Sequence, residues 1–192
     1  LQVPESELNI HVNDIIEDKQ KNLWFATTQG VFILDQQDTL APIKPQNPAL
    51  HNDLNFRSLA IDDKDRVWLS STLGLYFISN DNHQMLPYNF GFQKDYSPYK
   101  HEMLTLHFSD GYLWIGTIGG LVRLNPEEKD LVFVSHEPNN PYSLSDNRVR
   151  DFLRTQSGDL WVATHGGIDK LTTDYGIFKF ERLDVNNDSA IN

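Results

Sequence analysis

Three sets of polar residues recur along this 192-residue chain at places where chemistry could be done. The first is acidic: Asp18, then Asp62, Asp63 and Asp65, then Asp110, then Asp159, each group lying in the stretch just before a tryptophan. Carboxylates converging on one pocket would hold a metal ion or share acid–base work. Carboxylates placed in equivalent turns of separate units accept hydrogen bonds from their own backbone instead. The regular recurrence favours the turn role. The second set is Asp14, Ser58, Thr105 and Asp151, ten residues before three of the tryptophans and nine before the other. These could form a polar ring around a ligand or ordered water, or satisfy backbone groups at strand ends. Both readings stay open, and Asp14 and Asp151 are candidate ligand contacts. The third set lies in the turn after each tryptophan. There Gln29 and His165 are the candidate contacts, His165 standing where other repeats have Thr28, Thr72 and Ile118.

Other chemistry finds little support. The seven histidines show no pair at zinc spacing, and the absence of cysteine excludes disulfides and thiolate ligands. Asp184, Asn186 and Asp188 begin like a calcium loop but lack the glycine at its sixth place, so no metal is expected. No Gly-x-Ser-x-Gly elbow and no phosphate loop occurs, and no catalytic residue or cofactor is expected.

The elements that position these residues follow from the tryptophans. Trp24, Trp68, Trp114 and Trp161 are separated by 44, 46 and 47 residues, and each sits in the same local phrase. Leu23-Trp24-Phe25-Ala26-Thr27 leads to Gly30, and Val67-Trp68-Leu69-Ser70-Ser71 to Gly74. Leu113-Trp114-Ile115-Gly116-Thr117 leads to Gly120, and Leu160-Trp161-Val162-Ala163-Thr164 to Gly167. A period in the forties marks one supersecondary unit copied in tandem. The fourth copy divides into Val149–Arg154, Leu160–Thr164, Ile168–Leu171 and Gly176–Glu181, with turn residues between them. The other copies begin near Val12, Phe56 and Met103.

The tryptophan strand is apolar in succession, and successive side chains on a strand face opposite ways. Both of its faces must then be covered. A four-stranded sheet covered by copies of itself is a propeller blade. The expected fold is all-β, with four blades of four antiparallel strands spanning about 12–46, 56–92, 103–137 and 149–184 of a single domain, 1–192. The small residue two places after each tryptophan (Ala26, Ser70, Gly116, Ala163) would let sheets approach closely. The glycine six places after would supply a positive φ. Between the second and third copies, Tyr88, Tyr96 and Tyr99 could stack on a sugar ring. Alternatively, Phe90 and Phe92 pack as a fourth strand, with the tyrosines over its edge.

Composition narrows the partners. With 27 acidic against 16 basic residues the net charge is −11, which argues against nucleic acid and anionic membrane surfaces. No apolar stretch approaches 18 residues, so any membrane attachment is expected through segments outside this chain, and the initial Leu1 suggests an excised piece.

The run from Asn147 to Leu171 resembles the two-component regulator propeller repeat, as does Leu113 to Leu124. The stretch His136 to Ser145 is similar to that family's inter-repeat linker, while Gln29 and Leu73 depart from its Gly-Gly pair. The resemblance implies a non-catalytic sensor region on the periplasmic side of a bacterial membrane signalling protein, a histidine kinase or a diguanylate cyclase. It also implies more blades than four. Neither the sequence nor the resemblance names the ligand, for which an oligosaccharide is one candidate, and the open end faces are expected to be covered by a second copy or by further blades, unless four blades close on themselves. The alternatives are part of a propeller-fold carbohydrate-active enzyme, and a pure assembly scaffold.

Overall fold

The computed structural model describes residues 10–46, 55–79, 83–90 and 102–183. Phe92, Tyr96, Tyr99 and the Asp184, Asn186 and Asp188 run lie outside them. The described residues form sixteen strands and no helix. In chain order the first sheet is β1 (Val12–Glu17), β2 (Leu23–Thr27), β3 (Gly30–Leu34) and β4 (Leu40–Ile43). The second is β5 (Phe56–Ile61), β6 (Val67–Ser71), β7 (Gly74–Ile78) and β8 (Met85–Pro87). The third is β9 (Met103–Ser109), β10 (Tyr112–Thr117), β11 (Leu121–Asn125) and β12 (Asp130–Val134). The fourth is β13 (Val149–Arg154), β14 (Leu160–Thr164), β15 (Gly167–Asp174) and β16 (Ile177–Arg182). Each sheet is a four-stranded antiparallel meander, which is the expected all-β blade fold.

Two details differ from expectation. The fourth strand of the second blade is Met85–Pro87 and does not include Phe90, Phe92 lying outside the described residues. The backbone N–H of Tyr88 donates to the Leu75 carbonyl at 2.9 Å, which carries the chain past that strand's end. In the fourth blade β15 runs on to Asp174. Tyr175 and Gly176 both adopt positive φ, 48° and 81°, and so close a two-residue hairpin later than expected.

The chain divides into two compact units, Leu1–Tyr88 and Asn89–Asn192. In the first, Trp24, Ala26, Val31 and Ile33 of blade 1 pack into one core with Phe56, Leu59, Leu69 and Met85 of blade 2. In the second, Trp114 and Leu121 of blade 3 join Val149, Phe152, Leu160 and Phe180 of blade 4. Leu144, from the linker between these blades, is fully buried in the same core. Trp24, Trp68 and Trp114 are 3%, 1% and 6% exposed, as wedges should be. The expectation that both faces of the tryptophan strand are buried holds for β6 throughout and for β10 apart from its first residue. It fails for β2 and β14, where buried positions alternate with half-buried ones. Trp161 is accordingly only half-buried.

The glycine six places after each tryptophan has φ of 117°, 132°, 148° or 149°, a region costly for any side chain. The hydroxyl three places before that glycine clips the turn. Thr27 Oγ1 accepts from the Gln29 N–H at 3.1 Å and donates to the Gly30 carbonyl at 2.8 Å. Ser71, Thr117 and Thr164 make the same pair of bonds in their blades.

Close approach of blades is sharpest at Gly116. A Cβ there would lie 2.6 Å from Thr105 Cγ2 and 2.7 Å from Val149 Cγ1, so blade 4 rests on a missing side chain. Gly116→Ala is expected to cost about 1–3 kcal/mol through overpacking. Urea unfolding monitored by circular dichroism checks this, and an unchanged midpoint would mean that the two sheets can separate freely.

Candidate functional site

The acidic turns resolve first. Asp18 is buried, and its Oδ2 accepts the Trp24 indole N–H at 2.8 Å. Its Oδ1 takes the Asn22 backbone N–H at 2.8 Å, closing the β1–β2 turn. Asp62 repeats this in blade 2, accepting the Trp68 indole at 2.8 Å and the Arg66 backbone N–H at 2.9 Å. Burial pushes the Asp18 pKa up, but the bonds from Trp24 and Asn22 outweigh it, and the carboxyl titrates below its ordinary value. In blade 4 the turn is closed by Thr155, whose Oγ1 accepts the Asp159 N–H at 3.0 Å, and Asp159 pairs with Lys170 at 2.9 Å. Blade 3 has no such residue. Asp110 and Gly111 make a two-residue turn with φ of 54° and 78°, and the equivalent pair Phe108 and Leu113 encloses four residues where Glu17 and Leu23 enclose five, a connection one residue shorter. Trp114 Nε1 is consequently buried without a partner among the described residues, and Asp110 instead reaches Arg154 at 2.7 Å. The acidic set is thus spread over separate turns and local bonds. Among the described residues no group of His, Asp and Glu could hold a metal ion.

The strand-borne set is placed at a repeated bulge. The register of every first strand against its neighbour slips at one point, between Val12 and Asp14, Phe56 and Ser58, Met103 and Thr105, and Val149 and Asp151. Asp14 and Ser58 are brought together, Ser58 Oγ donating to Asp14 Oδ2 at 2.9 Å. Both carboxylate oxygens of Asp14 are engaged, since Oδ1 accepts the Ile15 N–H at 2.8 Å. Thr105 and Asp151 share no hydrogen bond among the described residues, and Asp151 is exposed. Gln29 and His165 are exposed on the β2–β3 and β14–β15 turns. The His165 backbone N–H donates to the Arg148 carbonyl at 2.9 Å, which fixes the turn and leaves the imidazole in solvent. Tyr88 is buried against Trp68, with ring centroids 5.2 Å apart, and does not present its ring to a sugar.

One polar cleft escaped the sequence reading. It has a volume of about 310 Å³ and lies in the first unit between the turns of blades 1 and 2. Gln20, Asn22, Asp65 and His83 line it around the edge of Trp24. His83 stands edge-on to that indole, centroids 5.9 Å apart. Asp65 Oδ1 is buried without a hydrogen-bond partner among the described residues and lies 4.0 Å from Lys19 Nζ. The volume is at the small end of ligand clefts, roughly 300–1,000 Å³. Carboxylate, carboxamide and imidazole groups around an indole edge suit a hydroxyl-rich, uncharged ligand. The signals in the sequence were Trp24 and the acids Asp18 and Asp65 of the first turns; His83 comes from a turn fifteen residues after Trp68, where no repeat pattern marks it.

Sheets of this form, each a four-stranded meander with a bulged first strand, define a β-propeller protein. The profile of the two-component regulator propeller family matches residues 6–29 and 143–166, one stretch in each of the first and fourth repeats. The chain is 28% identical over 169 residues to histidine kinase P4 of Formosa agariphila, covering 84% of this chain and 12% of the kinase. Among solved structures it is similar to virginiamycin B lyase of Staphylococcus aureus, with TM-score 0.67 and 14% identity over 96% of this chain and 59% of the lyase. It is also similar to the extracellular domain of a protein assigned as a hybrid two component system of B. thetaiotaomicron. That match has TM-score 0.61 and 17% identity over 90% of this chain and 30% of that domain. The chain therefore spans about an eighth of the kinase's length. At such identities the two structures speak for the fold alone.

Two measurements follow. Trp24→Phe strips Asp18 of a buried donor, whereas Trp114→Phe removes an indole N–H that already lacks a partner. The first is expected to cost about 1–2 kcal/mol more than the second in denaturant unfolding; the reverse order would refute the anchoring role of Asp18. Because the folded pKa of Asp18 is depressed, its contribution is present above the unfolded value of about 3.9 and fades as the pH falls through the lower folded value. Unfolding free energies measured from about pH 2 to pH 6 should therefore lose part of their acid slope in Asp18→Asn. Identical slopes would remove the linkage.

Proposed function

We propose that this chain is a non-catalytic sensor module of a bacterial membrane signalling protein, lying on the periplasmic side and binding an oligosaccharide. The observation that carries this reading is the pair of two-component regulator propeller repeats at 6–29 and 143–166. The similarity to a histidine kinase over 84% of the chain supports a kinase rather than a diguanylate cyclase as the output. The acids of the repeat turns agree with binding rather than turnover, whereas Asp65 and His83 share the cleft and make turnover the point to test. A hydrolytic or lyase mechanism needs an acid and a base facing one substrate. Here Asp18, Asp62 and Asp14 spend their carboxylates on indole, backbone and hydroxyl donors of the scaffold. Among the described residues no helix is long and apolar enough to cross a membrane, so attachment is assigned to other segments.

We assign the ligand to the cleft bounded by Asn22, Asp65 and His83. The second reading, an enzyme, draws on the likeness to virginiamycin B lyase, which is a likeness of fold.

Thermal unfolding against a panel of neutral and acidic oligosaccharides, with chromatography of each sugar afterwards, tests the proposal. A ligand at about a hundred times its Kd stabilises by about 2.7 kcal/mol, or roughly 5–10 °C for a chain of this size. Asp65→Asn or His83→Ala should reduce that shift by more than half. Shortened sugars in the chromatogram would establish the enzyme reading, and an unmoved midpoint across the panel would favour a scaffold.

A further inference from the structure

Blade 3 departs from the other blades at two positions of β9 that share one face of its sheet, His107 and Ser109. The residue directly across from the tryptophan is Ile16, Ala60 and Leu153 in blades 1, 2 and 4, but His107 in blade 3. Asp18 and Asp62, which cap their indoles, each follow the strand partner of Leu23 or Val67. The residue that follows the partner of Leu113 is Ser109, too short to do the same. Arg123, across from Trp114 on β11, continues the row. His107 Nε2, Ser109 Oγ, Trp114 Nε1 and Arg123 Nε are all buried without a hydrogen-bond partner among the described residues. The tryptophan and arginine nitrogens can only donate.

This row forms the seam with blade 4. The His107 ring lies against Phe152 of β13, centroids 6.3 Å apart, and the Trp114 ring against Phe178 of β16 at 5.7 Å. The Arg123 guanidinium sits over the Tyr112 and Phe178 rings, 4.4 and 5.0 Å from their centroids, and reaches Asp130 at 3.4 Å. The charged groups around His107 are Asp151 and Arg154 of β13, Asp110 of the β9–β10 turn and Arg123 of the same row. None of them bonds its Nε2. Asp110 and Arg154 pair with each other at 2.7 Å, and Asp151 Oδ1 accepts the Phe152 N–H at 2.9 Å. Burial holds the imidazole pKa below its ordinary value; Arg154 works in the same direction, and Asp151 and Asp110 oppose it.

We propose that His107 is a proton-operated latch on the seam between blades 3 and 4, closed while the imidazole is neutral and released when it gains a proton. A neutral ring can carry its proton on Nδ1 and leave Nε2 a bare lone pair, whereas the cation carries an N–H on both nitrogens. Protonation sets a charge and one more obligatory donor in a row where Trp114 Nε1 and Arg123 Nε already lack an acceptor among the described residues. It also adds a second cation to the row that holds Arg123. A buried charge without a partner is relieved by water, and parting the two blades admits it. The folded pKa lies below the ordinary value of 6.5, which the imidazole regains in an opened seam. The open form therefore binds more protons between the two values. The latch holds above about pH 6.5 and loosens as the pH falls from there toward the lower folded value. The packing of this unit thus follows the acidity of its surroundings. Nothing in the latch depends on the cleft of the first unit or on its ligand.

Exchange of the Trp114 indole proton, measured by NMR on the whole chain and corrected for the exchange of a free indole, reads the opening of the seam. Each pH unit between the two pKa values multiplies the open fraction by about ten. The exchange is expected to quicken about tenfold from about pH 7 to about pH 5, while that of Trp24 and Trp68 changes less than about twofold. In the same samples the His107 imidazole is expected to titrate below the ordinary histidine value of about 6.5. His107→Leu, which installs the residue type of blade 4, and His107→Gln should each flatten the Trp114 profile. A flat profile in the unsubstituted protein overturns the proposal, as does an imidazole that titrates at or above the ordinary value. A rise that survives both substitutions assigns the effect to Asp110 or Asp151 and overturns it too. So does a rise shared equally by all three indoles, which reports unfolding of the whole chain.

Discussion

A sheet of four short strands cannot cover either of its own faces, and everything else in this molecule follows from that constraint. Apolar side chains leave each blade on both sides, because successive residues of a strand point opposite ways. Stability then resides in the contact between sheets rather than in any one of them. Trp24 shows the consequence. Its ring is buried in a core made largely by residues of the next blade, and its indole N–H is tied to a carboxylate in its own turn. The residue is a wedge whose apolar part belongs to the interface and whose polar atom belongs to the blade.

Burying so much backbone near turns and bulges creates donors that must be satisfied, and the chain does this with short polar side chains at fixed positions. Asp18 and Asp62 serve the first turn of their blades, and Thr27, Ser71, Thr117 and Thr164 the second. The linker before blade 4 follows the same rule, with Asp169 Oδ2 accepting both the backbone N–H and the hydroxyl of Ser145 at 2.8 Å. Carboxylates used in this way have little capacity left for a substrate.

Period and type of element were legible in the sequence because they depend on residues that repeat. The tryptophan, the hydroxyl and the positive-φ glycine recur at one spacing, and first strands begin where the apolar pattern places them. What could not be read depends on relations between copies. The run Leu23 to Ala26 looks identical in kind to Val67 to Ser70, yet the first alternates in burial and the second does not, because burial is set by what lies against the sheet. The lost cap in blade 3 arises from a turn one residue shorter, a difference that composition hides. The cleft draws Asn22 and Asp65 from two first turns and His83 from a third turn, residues that no single copy brings together. Asp14 was noticed as a polar position in a strand, but its direction, across to Ser58 rather than into solvent, is a property of two blades and of a bulge that no residue type announces.

The same relation bears on how a bound ligand could be felt elsewhere. Asn22 lines the cleft and also gives both its backbone N–H and its Nδ2 to Asp18, at 2.8 and 2.9 Å. Asp18 in turn holds the indole of the wedge between blades 1 and 2. A ligand contacting Asn22 or His83 would therefore act two hydrogen bonds, or one ring contact, away from the residue that sets blade spacing. A ligand shifts an equilibrium only by the difference in its affinity for the two arrangements. A site built across two blades has that difference available, since any change in their spacing moves Asp65 and His83 relative to Asn22. A site confined to one blade's turn, such as the neighbourhood of Gln29 or His165, is carried on a single sheet and would move with it as a body. On physical grounds an inter-blade cleft is a better place from which to transmit a signal than a turn carried on one sheet.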